Sequence, residues 1–117
     1  MTELRKDWLT GRTVLLAEHR AERPNEFAAV VESSTTPLDE VSCPFCPGHE
    51  SITPPAVFTS SDDDGHWRVR VVPNKFPTVA IDEPSAAGAH EVFIESARHV
   101  DRISALSVAE FADVLDA

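Results

Sequence analysis

Hydrophobic and polar residues alternate most cleanly from His66 to Val72, where Trp67, Val69 and Val71 take one face and Arg68 and Arg70 the other. A period of two predicts a strand. A second alternating run, Ala89 to Glu95, sets His90, Val92 and Ile94 against Glu91, Phe93 and Glu95. Arg12 to Ala17 is a shorter apolar and partly β-branched strand, preceded by a turn over Asp7–Gly11. The polar segment Ser60–Gly65 reads as a hairpin connection. Phe27–Val31 is apolar, and Ser33–Pro37 reads as a loop. Ile52-Thr53-Pro54-Pro55 is expected to be extended, because each proline restricts the residue before it. Near the end the period changes. Ser107-Val108-Ala109-Glu110 is a capping box, and Phe111, Val114 and Leu115 follow at helical spacing. Strands followed by a helix predict an α+β fold, an antiparallel sheet with a flanking helix.

Composition narrows the picture. The 117 residues suit one domain with a core of its own, and 42% are apolar, so disorder is not expected. Ten Lys and Arg against 20 Asp and Glu give a net charge of −10. Such a chain repels phosphate backbones, which argues against nucleic acid as a partner. No apolar run reaches membrane-spanning length, and the start, Met1-Thr2-Glu3-Leu4-Arg5-Lys6-Asp7, has no apolar signal core. A cytoplasmic protein is expected.

Both cysteines lie in Ser42-Cys43-Pro44-Phe45-Cys46-Pro47-Gly48-His49-Glu50. Two thiolates at C-x-x-C spacing on a tight turn can chelate one borderline-soft cation. Gly48 frees the backbone to curl under it, and Pro44 and Pro47 stiffen the turn. A redox pair or two inert thiols are the other readings. Pro47-Gly48 opposes the helix that a redox pair ordinarily opens. Further ligands must come from elsewhere. His49 stands three residues past Cys46, and His99 falls in a loop after a strand. Asp62, Asp63 and Asp64 lack the spaced ligands of a calcium loop and read as a solvated acidic turn. Arg20 and Arg23 lie near each other in any tight loop, as a phosphate-binding pair or as solvated surface residues. Asn74-Lys75-Phe76, bracketed by Pro73 and Pro77 at a strand end, offers an amide, a cation and a flat apolar ring, or a plain strand terminus.

Several stretches taken in order resemble the N-terminal part of the galactose-1-phosphate uridylyltransferase family, in the histidine-triad superfamily. They are Leu9-Thr10-Gly11-Arg12, Arg20-Ala21-Glu22-Arg23-Pro24, Cys43-Pro44-Phe45-Cys46-Pro47-Gly48 and Val71-Val72-Pro73-Asn74-Lys75-Phe76-Pro77. Gly88-Ala89-His90-Glu91-Val92 through His99, with Leu106-Ser107-Val108, completes the set. The resemblance covers nearly all of residues 1–117, read as the N-terminal part of a longer domain that this chain leaves at its C-terminal helix.

The resemblance implies a nucleotidyltransferase of galactose metabolism. It would exchange a uridylyl group between UDP-glucose or UDP-galactose and hexose 1-phosphate, through a covalent uridylyl-histidine. It further implies Zn2+ on Cys43, Cys46 and His99. Arg20 and Arg23 would reach nucleotide phosphates across a homodimer interface, Asn74, Lys75 and Phe76 would contact the nucleotide, and Phe45 and Ile52 would sandwich the base. The family's His-Pro-His-Gly-Gln motif, source of the nucleophile and the fourth zinc ligand, does not occur in the 117 residues. On that ground no catalytic residue is assigned and the chain alone is expected to be inactive. The alternative reading is a non-catalytic zinc-knuckle module that binds a nucleotide or a protein.

Overall fold

The computed structural model describes residues 2–23 and 43–117. The apolar run Phe27–Val31 and the loop Ser33–Pro37 lie outside the described residues. Two units result, one drawn from residues 2–23 and 74–90, the other from 43–73 and 91–117.

In the first unit, strand β1 (Thr2–Lys6) pairs antiparallel with β2 (Thr13–Ala17), from Thr2 opposite Ala17 to Lys6 opposite Thr13. Asp7 organises the connection. Its backbone N donates to the Arg12 carbonyl at 2.8 Å, and its carboxylate accepts from the Leu9 N–H and the Thr10 hydroxyl. The expected turn and second strand are therefore present. Strand β1 was not legible, because Leu4 is its one apolar residue and pairing with β2, not periodicity, makes it extended. Its first residue is tied down at a distance in sequence. Thr2 N donates to Glu83 Oε2 at 3.3 Å, and Ser85 Oγ donates to the Thr2 carbonyl at 2.9 Å. A 3-10 turn, Glu18–Glu22, follows β2 and carries Arg20.

The second unit is a three-stranded antiparallel sheet in the order β3 (Phe58–Ser61), β4 (Trp67–Pro73), β5 (Glu91–Ile94). Strand β4 is central, paired along both edges, and the consecutive residues Val69, Arg70, Val71 and Val72 are all buried, so both of its faces are covered there. The strict alternation expected of it fails at one point. Ser60 pairs with Val69 but Ser61 pairs with Trp67, so Arg68 is an extra residue in β4. Such a bulge shifts the side-chain parity beyond it. Trp67 therefore leaves the face of Val69 and Val71, and its ring lies 5.7 Å from the Arg70 guanidinium.

Helix α1 (Val108–Asp116) starts as expected: Ser107 Oγ accepts from Glu110 N, and the Glu110 carboxylate accepts from Ser107 N at 2.7 Å. Its apolar stripe is only partly covered by the described residues: Val114 is half-buried, while Phe111 and Leu115 stay exposed. Ion pairs also tie it down, Arg68 to Asp113 at 3.3 Å and Arg98 to Glu110 at 2.8 Å. Among the described residues no helix is long and apolar enough to cross a membrane.

Candidate metal centre and nucleotide contacts

The C-x-x-C segment folds as successive tight turns. Cys46 N points to the Cys43 carbonyl at 3.4 Å, His49 N donates to the Cys46 carbonyl at 3.1 Å, and Ile52 N donates to the His49 carbonyl at 2.9 Å. Gly48 supplies the left-handed residue this path needs, with φ of +93°. A 3-10 turn, Glu50–Ile52, continues from the knuckle. That moves Ile52 out of the extended conformation expected for it, while Thr53, directly before Pro54, is extended with ψ of 157°.

Both thiols are buried, at 8% and 7% exposure, and no disulfide joins them. The third member arrives from the loop after β5. Ile94 is buried in the sheet, Ser96 Oγ accepts from Arg98 N at 3.0 Å, and the Arg98 guanidinium grips both oxygens of Glu110 at 2.8 Å. This brings His99 back to the knuckle, with Nδ1 3.1 Å from Cys46 Sγ.

The ligand atoms of Cys43, Cys46 and His99 all lie within 4.8 Å of one another. Bond lengths of about 2.3 Å to sulfur and about 2.1 Å to nitrogen give a tetrahedron with edges of roughly 3.5–3.8 Å. The group fits such an ion by size, and two sulfurs with one imidazole fit a borderline-soft divalent metal by chemistry. Among the described residues no fourth His, Cys, Asp or Glu joins the three. His49 is turned to another task, its Nδ1 donating to the Cys43 carbonyl at 2.5 Å. His90 sets Nδ1 to accept from Thr78 N at 3.0 Å and Nε2 3.3 Å from the Asn74 amide, in keeping with a histidine held by its surroundings.

Asp62, Asp64 and His66 also cluster, but all are exposed. Asp62 Oδ1 accepts from the backbone N–H of Asp64 and of His66, as a turn-forming aspartate does.

Beside the knuckle is an open cavity of about 220 Å³ whose lining includes Phe45, Phe93, Glu95 and His99. Phe45 thus lies next to the metal group, while Ile52 is exposed on its 3-10 turn. In the other unit, Arg20 Nη1 donates to the Phe76 carbonyl at 2.9 Å, and Asn74 Oδ1 accepts from Phe76 N at 2.8 Å. The Lys75 ammonium lies 5.9 Å from the Phe76 ring. Arg23 caps the 3-10 turn with its N–H on the Arg20 carbonyl at 3.2 Å and leaves its side chain exposed. Arg20 and the Asn74–Phe76 segment are therefore joined by a direct bond, which no spacing in the sequence announces.

Two groups with structural work escaped the sequence reading. Arg98 anchors the loop that carries His99, and Glu50 bonds to both the knuckle and β4. Neither belongs to a recognisable motif, since each bond spans an unremarkable separation in sequence.

No protein-family model matches the chain. ADP-glucose phosphorylase from Arabidopsis thaliana is 33% identical over 127 aligned residues, covering 97% of this chain and 36% of that protein. The crystal structure of an ADP-glucose phosphorylase from Arabidopsis thaliana with bound ADP-glucose matches with a TM-score of 0.56 at 31% identity, over 98% of this chain and 35% of that one. A galT-like protein from the same plant gives a TM-score of 0.56 at 30% identity, over 97% and 33%. The chain is a relative of the galT-like proteins of the histidine-triad superfamily and shares part of their fold. Within that group its matched curated relative is an ADP-glucose phosphorylase, of whose length it spans about a third.

Proposed function

We propose that the chain forms the metal knuckle and part of the sugar-nucleotide site of a nucleotidyltransferase of this group. The observation that carries the proposal is the meeting of Cys43, Cys46 and His99 within 4.8 Å in a fold shared with an ADP-glucose-binding enzyme. These three residues would hold Zn2+, which when bound supplies a cross-link between the knuckle and the loop after β5. The chain's own residues would then bind and orient. Arg20 and Arg23 offer guanidinium donors for phosphate oxygens, Asn74, Lys75 and Phe76 a polar, a cationic and an apolar contact to the nucleotide, and Phe45 and Ile52 apolar surface for a base. Cations of this kind offset the charge that builds up on a phosphoryl group during transfer.

The donor we favour is ADP-glucose, because the matched relative is an ADP-glucose phosphorylase at 33% identity. The resemblance to the uridylyltransferase family implies UDP-glucose instead, with galactose 1-phosphate as acceptor. Titration calorimetry of the zinc-loaded chain with each sugar nucleotide separates the two. Saturable binding of ADP-glucose, tighter than of UDP-glucose, is expected. The reverse order would return the uridylyl reading, and binding of neither would leave a zinc-knuckle module without a nucleotide role.

A further inference from the structure

Glu50 uses both of its carboxylate oxygens. Oε2 accepts from the Gly48 backbone N–H at 2.9 Å, and Oε1 accepts from the Trp67 indole N–H at 2.9 Å. Gly48 is the residue whose φ of +93° turns the knuckle. Trp67 belongs to the central strand, and the guanidinium of Arg70, a residue only 6% exposed, lies 5.7 Å from its ring. The bulge at Arg68 is what brings that ring to this face. One carboxylate thus joins the turn that carries the thiols to the most buried strand of the unit. The Glu50 N–H, the Trp67 indole, the Gly48 N–H and the charge of Arg70 together hold its carboxyl below the usual range. It is a charged acceptor for two donors at once.

We propose that Glu50 is a positioning residue for the metal group. Its two-oxygen bridge fixes the knuckle on β4 before a metal arrives, so that Cys43 and Cys46 meet His99 with little ordering left to do. The proposal rests on the metal reading given above. It explains a feature that metal ligation alone does not. The Gly48 N–H faces an exposed turn where water would satisfy it, yet a carboxylate shared with a buried strand takes its place. Groups behind the ligands commonly set metal affinity by about 10- to 100-fold.

The chemistry makes the test specific. Glutamine has the size of glutamate but one acceptor oxygen, so Glu50→Gln must turn an NH2 group toward either the Gly48 N–H or the Trp67 N–H. Trp67→Phe removes one of those donors. In the Trp67→Phe background the amide oxygen can serve Gly48 and the clash is gone. Cobalt(II) titration of the wild type, both single variants and the double variant gives affinity from the thiolate charge-transfer band and geometry from the d–d bands. One bound cobalt is expected for the wild type, about tenfold weaker binding for Glu50→Gln, and less than threefold further loss when the same change is made in Trp67→Phe. In the metal-free wild type the Gly48 amide should exchange slowly with solvent, and in Glu50→Gln at least tenfold faster. Equal affinity and equal exchange in wild type and Glu50→Gln would overturn the proposal, as would an equal penalty in both Trp67 backgrounds. No cobalt binding by the wild type would instead overturn the metal reading and carry this proposal with it.

Discussion

Replacing Cys43 by serine tests the metal centre directly. Serine keeps the shape of the side chain but is a poor ligand for a borderline-soft ion. Cys43 is 8% exposed and Cys46 7%, so both thiols are largely shielded from bulk solvent. A metal that binds the folded chain alone stabilises it by about 2.7 kcal/mol when free zinc is a hundredfold above its Kd. At about 4 °C per kcal/mol for a chain of this size, the melting midpoint should rise by about 11 °C. The assay is thermal unfolding followed by circular dichroism, for wild type and Cys43→Ser, each with chelator and with buffered zinc. Comparing each protein with itself removes the cost of the substitution in the metal-free state. The wild type should gain about 11 °C with zinc and the variant less than about 2 °C. A variant that keeps the whole gain would refute the site. A redox pair would leave a different trace: both proteins would ignore zinc, and the wild type alone would respond to oxidant.

Val69, 1% exposed on the central strand, should lose about 2 kcal/mol on change to alanine, from two buried methyl groups and the cavity they leave. Urea unfolding measures it. Glu110 has its carboxyl held down to about 2, from an ordinary 4.5, chiefly by the Arg98 guanidinium and then by the Ser107 N–H. A lowered folded value adds stability that is present above pH 4.5 and lost as pH falls toward 2. The wild type should therefore lose more stability than Glu110→Gln over that window, read as the shift of the urea midpoint with pH. Asn74→Ala removes the acceptor for Phe76 N and should weaken sugar-nucleotide binding by about five- to tenfold in calorimetry, with the zinc response unchanged.

What the sequence disclosed follows a physical division. Strand β4 and helix α1 were legible because their signals are local: alternation in one, a Ser-x-x-Glu capping box and a stripe in the other. Strand β1 was not, since an extended Thr-Glu-Leu-Arg-Lys owes its conformation to β2 across a turn. The bulge at Arg68 was hidden too. A bulge is a property of two paired strands, and only the register with Ser60 and Ser61 reveals it. Its effect is large for one residue, because it moves Trp67 to the face of Arg70.

The same division runs through the metal group. The thiols announce themselves, because a chelating turn requires both ligands within a few residues. His99 was one candidate histidine beside His49 until the family resemblance singled it out, and the structure shows why spacing alone does not place it. Its position depends on three separate things: the end of β5, the Ser96 turn, and the grip of Arg98 on α1. Glu50 lies further still from any readable pattern, since its partners are a glycine N–H and an indole seventeen residues away. Residues that ligate are constrained by the chemistry of the ion, and that chemistry allows few residue types. Residues that position ligands are constrained by the surrounding fold, where many side chains would serve. The first kind survives as a motif, whereas the second becomes visible only when donor and acceptor are set side by side.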